Sequence, residues 1–198
     1  MYHIKEGYNH RTTVENFDDL VNNNEAHQKE VYQNVAQFMQ KEQLISIVDI
    51  GCGSGYKLVK YFSHYTTFGL DLPNTIDQVR LWYPKHKWGY VNELYFPYLK
   101  ADVVLCSDVI EHVEEPSLFL WLLSEAEDIK HYFFSTPDRD TVRAKGDNGP
   151  PKNASHYREW NQEEFLLFLS DYFTVVDSAI TNMRQGTFMV HCIKKVVE

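Results

Sequence analysis

The run Val48-Asp49-Ile50-Gly51-Cys52-Gly53-Ser54-Gly55 passes from strand to glycine-rich turn, and most of the reading depends on where that turn leads. The residues before it, Leu44-Ile45-Ser46-Ile47-Val48, are apolar and β-branched, as a strand buried on both faces requires. The residues after it, Tyr56-Lys57-Leu58-Val59-Lys60-Tyr61-Phe62, space their apolar side chains as a helix does. Glycines between a strand and a helix bring bare backbone N–H groups against a ligand at the helix N-terminus, where a side chain would block the approach.

Two nucleotide classes share this outline, and the third glycine separates them. A dinucleotide fold places G-x-G-x-x-G around a pyrophosphate; here the pattern is G-x-G-x-G, and Tyr56 stands where the last glycine would. Further on, Thr67-Phe68-Gly69-Leu70-Asp71-Leu72 reads as a second strand ending in an acid. That acid lies about 20 residues past the first glycine, where a carboxylate accepts ribose hydroxyls. It serves either cofactor class. Ala101-Asp102-Val103-Val104-Leu105-Cys106-Ser107-Asp108-Val109-Ile110-Glu111-His112-Val113 then gives a strand, a polar break and a helix start.

Taken in order, D-I-G-C-G-S-G, the acid Asp71 and D-V-I-E-H-V resemble the motifs of class I S-adenosylmethionine-dependent methyltransferases of the small-molecule type. The likeness is strong over residues 44–136 and holds in outline elsewhere. It implies a glycine loop around the amino-acid tail of S-adenosylmethionine, with Asp71 on the ribose. The cofactor set is then Asp49, Gly51, Cys52, Gly53, Gly55, Asp71, Leu72, Asn92, Glu93, Ser107, Asp108 and Val109, with adenine between Leu72 and Asn92 or Glu93.

The remaining elements alternate, as in a parallel sheet covered by helices. A helix is predicted over 25–41, with Val31, Val35, Phe38 and Met39 on one face. Strands are predicted near 44–50, 67–72, 87–91, 101–106, 130–135, 173–180 and 187–195. Pro116 opens one helix in its first turn, and Asn161 with the acids after it opens another. The last two strands read as the antiparallel hairpin with which this methyltransferase family ends its sheet. The expected fold is α/β: one Rossmann-like, doubly wound domain over 1–198, seven strands, mostly parallel, with helices on both faces.

Two irregular stretches are expected to handle substrate. Residues 137–160 form a loop longer than the roughly 12–15 residues that usually stay structureless without a role, and Gly149-Pro150-Pro151 forbids regular structure there. Its end, His156-Tyr157-Arg158-Glu159-Trp160, is aromatic, and H-x-R-E-W resembles a segment of methyltransferases linked to saccharide and secondary-metabolite pathways. Its cations Arg139, Arg143, Lys145, Lys152 and Arg158 are offset by Asp138, Asp140, Asp147 and Glu159, which reads as a solvated, balanced loop. Residues 1–24 are expected as an arm, with Tyr2, His3, Tyr8 and His10 either over the site or disordered.

Composition narrows the partners. The 198 residues carry 19 Lys and Arg against 28 Asp and Glu, a net charge of −9, which disfavours general nucleic-acid binding and with it an RNA substrate. The N-terminus has no apolar leader and no run approaches a membrane span, so a cytoplasmic protein without membrane contact is expected. Cys52, Cys106 and Cys192 lack C-x-x-C spacing and read as reduced core thiols, and no metal site is expected. Oligomeric state is not legible.

The predicted reaction is methyl transfer from S-adenosylmethionine to a small molecule, a hydroxyl of a sugar or metabolite. A hydroxyl acceptor wants a base near the operating pH, which points to His112, after the fourth strand, and His156, in the loop. Each has a plainer alternative as a packing or structural residue. Two other readings stay open: a binding protein without catalysis, and a small NAD(P)-dependent oxidoreductase. The latter would have to use the Tyr56-x-x-x-Lys60 spacing, which falls on the helix after the glycine turn.

Overall fold

The computed structural model describes residues 2–15, 20 and 23–195. Met1, residues 16–19 and 21–22 of the expected arm lie outside the described residues, as do the last three positions. The described chain forms one seven-stranded sheet in the order β3-β2-β1-β4-β5-β7-β6. The strands are β1 Ser46–Ile50, β2 Thr66–Asp71, β3 Lys87–Tyr90, β4 Lys100–Ser107, β5 Asp128–Pro137, β6 Phe173–Asn182 and β7 Thr187–Lys194. Six run parallel, and β7 lies antiparallel between β5 and β6. The terminal hairpin expected from the sequence therefore closes the sheet, and its seven strands sit where the hydrophobic runs put them.

Alternation along the strands divides the core into two. Ile47, Val103, Leu105 and Phe133 face the layer made by α1 (Lys29–Lys41), α2 (Tyr56–Tyr61) and α3 (Pro73–Trp82). Val48, Val104, Cys106 and Phe134 face the opposite layer, α4 (Pro116–Ser124) and α6 (Gln162–Ser170). A strand covered on both faces needs no polar alternation, and β4 is buried from its second residue to its last. The three cysteines are free and buried, as expected of core thiols.

The order reverses between β1 and β4, since β2 and β3 lie on one side of β1 and β5 lies beyond β4. Loops leaving two neighbouring strands at such a point part in opposite directions and leave a crevice at their carboxyl ends. Ile50 and Cys106 are paired there, so the glycine turn and the Asp108 turn stand on either side of one opening.

Two expectations need correction. The first helix starts at Lys29, not 25, because Gln28 takes a left-handed conformation (φ 60°) that cannot propagate a helix. The 137–160 segment is not a solvated loop. It begins with a short helix, α5 (Arg139–Val142), capped by the Asp138 side chain accepting from Thr141 N at 3.1 Å. Its arginines turn inward: Arg139 is fully buried and Arg158 almost so.

Their partners explain why. The Arg139 guanidinium donates to Glu164 Oε2 at 2.7 Å and Oε1 at 2.8 Å, a two-pronged pair. Glu164 also accepts from Lys5 N at 3.0 Å and closes the capping box of α6 with Asn161. One carboxylate thus joins the N-terminal arm, α5 and α6. The arm runs alongside the segment, Asn9 N donating to Asn148 O at 2.7 Å, Arg11 N to Tyr157 O at 2.8 Å and Glu15 N to Ala154 O at 3.1 Å. Trp160 anchors the end: its ring stacks on Phe168, fully buried, and its Nε1 donates to Tyr2 O at 2.9 Å.

Removing one partner of a buried ion pair strands the other charge, which costs about 3–5 kcal/mol. Glu164→Gln keeps the side-chain volume and should lower unfolding stability by that amount, read from urea midpoints at unchanged slope. A loss below about 1 kcal/mol, the value of an exposed pair, would contradict the joint described.

Candidate functional site

A cavity of about 400 Å³ opens at the reversal point. Its floor is the glycine turn. Gly51 sits at φ +76°, and a Cβ there would stand 2.2 Å from Val109 Cγ2, so the turn and the segment after β4 touch through the missing side chain. Gly53 N donates to Asp71 Oδ2 at 2.7 Å, and Leu72 N donates to Oδ1 at 2.7 Å. The carboxylate at the end of β2 is therefore aimed at the turn by two short backbone bonds.

Ten of the residues singled out in the sequence line this cavity: Gly51, Cys52, Gly53, Asp71, Leu72, Glu93, Ser107, Asp108, Val109 and His112. Four others do not. Gly55 caps α2 at φ +71°, where a Cβ would meet Trp88 Cη2 at 2.7 Å, so its role is to let α2 approach β3. Asn92 spends its side-chain oxygen on Leu94 N at 3.1 Å, capping a 3-10 turn (Glu93–Tyr98). Asp49 lies beneath the wall, fully buried, with Oδ2 accepting from Tyr32 Oη at 2.8 Å and Oδ1 without a hydrogen-bond partner among the described residues. His156 lies behind His112 and away from the wall.

Three lining residues escaped sequence reasoning because they come from elements read only for packing. Tyr32 belongs to the buried face of α1, where an aromatic signals core. Lys57 sits in the first turn of α2, buried, with Nζ 5.5 Å from the Tyr32 ring centroid. Gln28 reaches across from the residue preceding α1, Nε2 donating to Asp108 Oδ2 at 3.1 Å. Only the left-handed turn at Gln28 directs it there, and no sequence signal marks that turn.

Carboxyls dominate the electrostatics. Burial pushes the Asp49 carboxyl up to about 7, opposed in part by the Tyr32 bond and by Lys57. Desolvation also raises Asp108, against the pull of its bonds from Ser135 Oγ at 2.6 Å and from Gln28. Asp108 itself is held at φ +52°, a strained setting for a residue with a Cβ, tied by its N–H donating to Ser135 O at 2.9 Å. Glu111 is fully buried and raised well above the usual range, by desolvation first and Asp108 second.

The 153–158 segment is latched onto the turn after β4. Tyr157 N donates to Glu111 O at 2.9 Å, and the Arg158 guanidinium donates to Val113 O at 2.7 Å and Glu114 O at 2.8 Å. His112 Nδ1 lies 2.9 Å from Ser155 O; a carbonyl only accepts, so Nδ1 carries the proton. This latch puts Ser155 and Tyr157 on the cavity wall, joined by Val14 and Glu15 of the arm. Of the aromatic and imidazole groups expected over the site, Tyr2 and Tyr8 instead pack against Arg158, Arg139 and His10. His112 and His156 meet edge to face, 4.6 Å between ring centroids, and burial together with His156 lowers His112 to about 4.

Comparison with known proteins agrees with this geometry. Residues 24–176 match the methyltransferase domain family. Magnesium protoporphyrin IX methyltransferase from Synechocystis PCC 6803, solved with bound SAH, is similar at 17% identity and TM-score 0.64, over 93% of this chain and 90% of that one. The methyltransferase domain of bacterial CtHen1-C is similar at 17% identity and TM-score 0.66, over 85% and 99%. An O-methyltransferase family protein from Burkholderia thailandensis is similar at 15% identity and TM-score 0.64, over 86% and 57%. No curated protein matches the sequence at a significant level. With more than three quarters of its length inside the family match, the chain belongs to the methyltransferase domain family.

Proposed function

We propose that the protein transfers the methyl group of S-adenosylmethionine to an oxygen of a small acceptor in the cavity at the β1/β4 reversal. S-adenosylmethionine is the methyl donor. The observation that carries the donor site is the pairing of the glycine turn with Asp71, whose carboxylate meets the turn at 2.7 Å. In this reading Gly51, Cys52 and Gly53 lie against the amino-acid tail, Asp71 takes the ribose hydroxyls, and Leu72 and Glu93 flank the adenine. Asp49, Asp108 and Val109 close the inner side. An oxidoreductase reading loses its support, since Lys60 of the Tyr56-x-x-x-Lys60 spacing is held by Glu25 at 2.8 Å, away from the cavity wall.

The sulfonium is already an activated leaving group, so the protein's task is alignment and desolvation, which can contribute about 7–11 kcal/mol. The glycine turn fixes the donor, and Tyr157, Ser155 and His112 stand on the acceptor side. His112 is neutral, and with its pKa lowered to about 4 it holds a proton weakly. It stands on the acceptor side as a neutral imidazole and is poorly suited to keep an added proton. His156 is a positioning residue behind it.

A small acceptor is supported by space and by charge. About 400 Å³ must take donor and acceptor together. Around it stand Glu15, Glu93, Asp108 and Glu114, with Lys57 the one cation among the lining residues. A phosphate backbone would meet like charge there. Assays with labelled S-adenosylmethionine should show transfer to hydroxyl-bearing sugars or metabolites and none to bulk RNA. Robust methylation of RNA would overturn the acceptor class.

The buried Asp49 adds a pH signature. Its folded pKa of about 7 lies above the unfolded value of about 3.9, so the free protein carries a proton there below neutrality. A cationic donor favours the ionised form, so binding expels that proton. Donor affinity should rise with pH by up to about tenfold per unit below 7 and then level off. Calorimetry in two buffers of different ionisation enthalpy should detect net proton release at pH 6.5–7, absent in Asp49→Asn. Equal proton counts in both proteins would contradict the assignment.

A further inference from the structure

We propose that Lys57 makes this site specific for a sulfonium nucleoside that bears an amino-acid carboxylate, its ammonium pairing with that carboxylate when the donor binds. This contact rests on the donor site read above and adds to it the part of the donor that Lys57 takes. Lys57 is buried on the cavity wall and is the one cation among the lining residues. Asp71, Asp108, Glu15, Glu93 and Glu114 stand on the same wall.

A lysine is seldom buried without a carboxylate beside it, because its ammonium gives up hydration. Lys60, one turn further along α2, follows that rule, with Nζ 2.8 Å from Glu25 Oε2. Lys57 does not. Its Nζ lies 5.5 Å from the centre of the Tyr32 ring, and among the described residues it enters no ion pair. A ring face takes one side of an ammonium and leaves N–H donors on the other. The ring is itself fixed at its far end, Tyr32 Oη donating to Asp49 Oδ2 at 2.8 Å.

The donor supplies the missing charge. S-adenosylmethionine carries a sulfonium, an ammonium and a carboxylate at its amino-acid end, and the acids of the opening suit only the first two. Asp49 and Asp108 both lie in the field of Lys57. A carboxylate entering there meets their repulsion, which a cation in the same place offsets. The nearby guanidinium groups are already spent, Arg139 on Glu164, Arg143 on Glu159 and Arg158 on the Val113 carbonyl.

The pairing has a consequence for selectivity. Decarboxylated S-adenosylmethionine keeps both positive centres and lacks the negative one, so an acidic opening alone would prefer it. Lys57 reverses that order, because the decarboxylated ligand leaves a buried ammonium unpaired and brings further positive charge beside it.

The test is calorimetric titration of the full chain, without acceptor, against S-adenosylmethionine, its decarboxylated form and methylthioadenosine, which lacks the amino-acid tail. The wild-type protein should bind S-adenosylmethionine at least about tenfold more tightly than the decarboxylated form. In Lys57→Met, affinity for S-adenosylmethionine should fall at least about tenfold and the preference should reverse, while methylthioadenosine stays within about twofold. Lys57→Arg keeps the charge and should keep the order of preference. If the variants fail to fold, the wild-type preference decides: equal or tighter binding of the decarboxylated form overturns the pairing. So does an unchanged affinity for S-adenosylmethionine in folded Lys57→Met, or an equal loss for all three ligands, which would make Lys57 a packing residue. Each of these results leaves the donor site standing. A wild-type protein that binds no S-adenosylmethionine refutes the donor site itself, and the pairing with it.

Discussion

A cluster of acids gathered at the carboxyl ends of β1, β2 and β4 is the constraint on which the rest of the structure turns. Asp49 and Glu111 are fully buried, and Asp71 and Asp108 line the same opening. Burial works against ionising Asp49, Asp108 and Glu111, and each is pushed upward. Such an arrangement is poor for stability and good for recognition, because a cationic ligand regains the Coulomb energy that folding gave up. Methyl donors of the sulfonium type carry that cation.

The chain holds this opening together with neutral dipoles and remote ion pairs. Tyr32, Ser135 and Gln28 each donate one hydrogen bond to a carboxyl of the site, at 2.6–3.1 Å. The strong charges sit outside. Arg139 with Glu164, and Arg143 with Glu159 and Asp147, fasten the arm and the 137–160 segment. Arg158 spends its guanidinium on the carbonyls of Val113 and Glu114. These arginines are thereby engaged by the protein itself and are not a clamp for substrate carboxylate or phosphate, which leaves Lys57 as the cation on the wall.

Much of this was legible in the sequence where the physics is local. Strand bounds fall within two residues of those read from hydrophobic runs, because a strand between two helix layers leaves no polar residue to blur its ends. The glycine turn and Asp71 are fixed by backbone geometry and spacing, so they too could be read. What escaped depends on conformations that composition does not encode. The left-handed turns at Gln28 and Asp108 decide which side chains meet across the opening. The inward turn of Arg139 and Arg158 follows from partners at residues 113, 114 and 164, invisible to a local charge balance. The meeting of Glu111 and His112 with His156, more than forty residues away, follows from the latch of Tyr157 N on Glu111 O.

The central claim is that this acidic, glycine-floored opening selects a sulfonium nucleoside over a dinucleotide. Calorimetric titration of the purified chain with S-adenosylmethionine and, separately, with NADH tests it most directly. The account predicts one-to-one binding of S-adenosylmethionine and no saturable binding of NADH. Tight NADH binding with none of S-adenosylmethionine would contradict it.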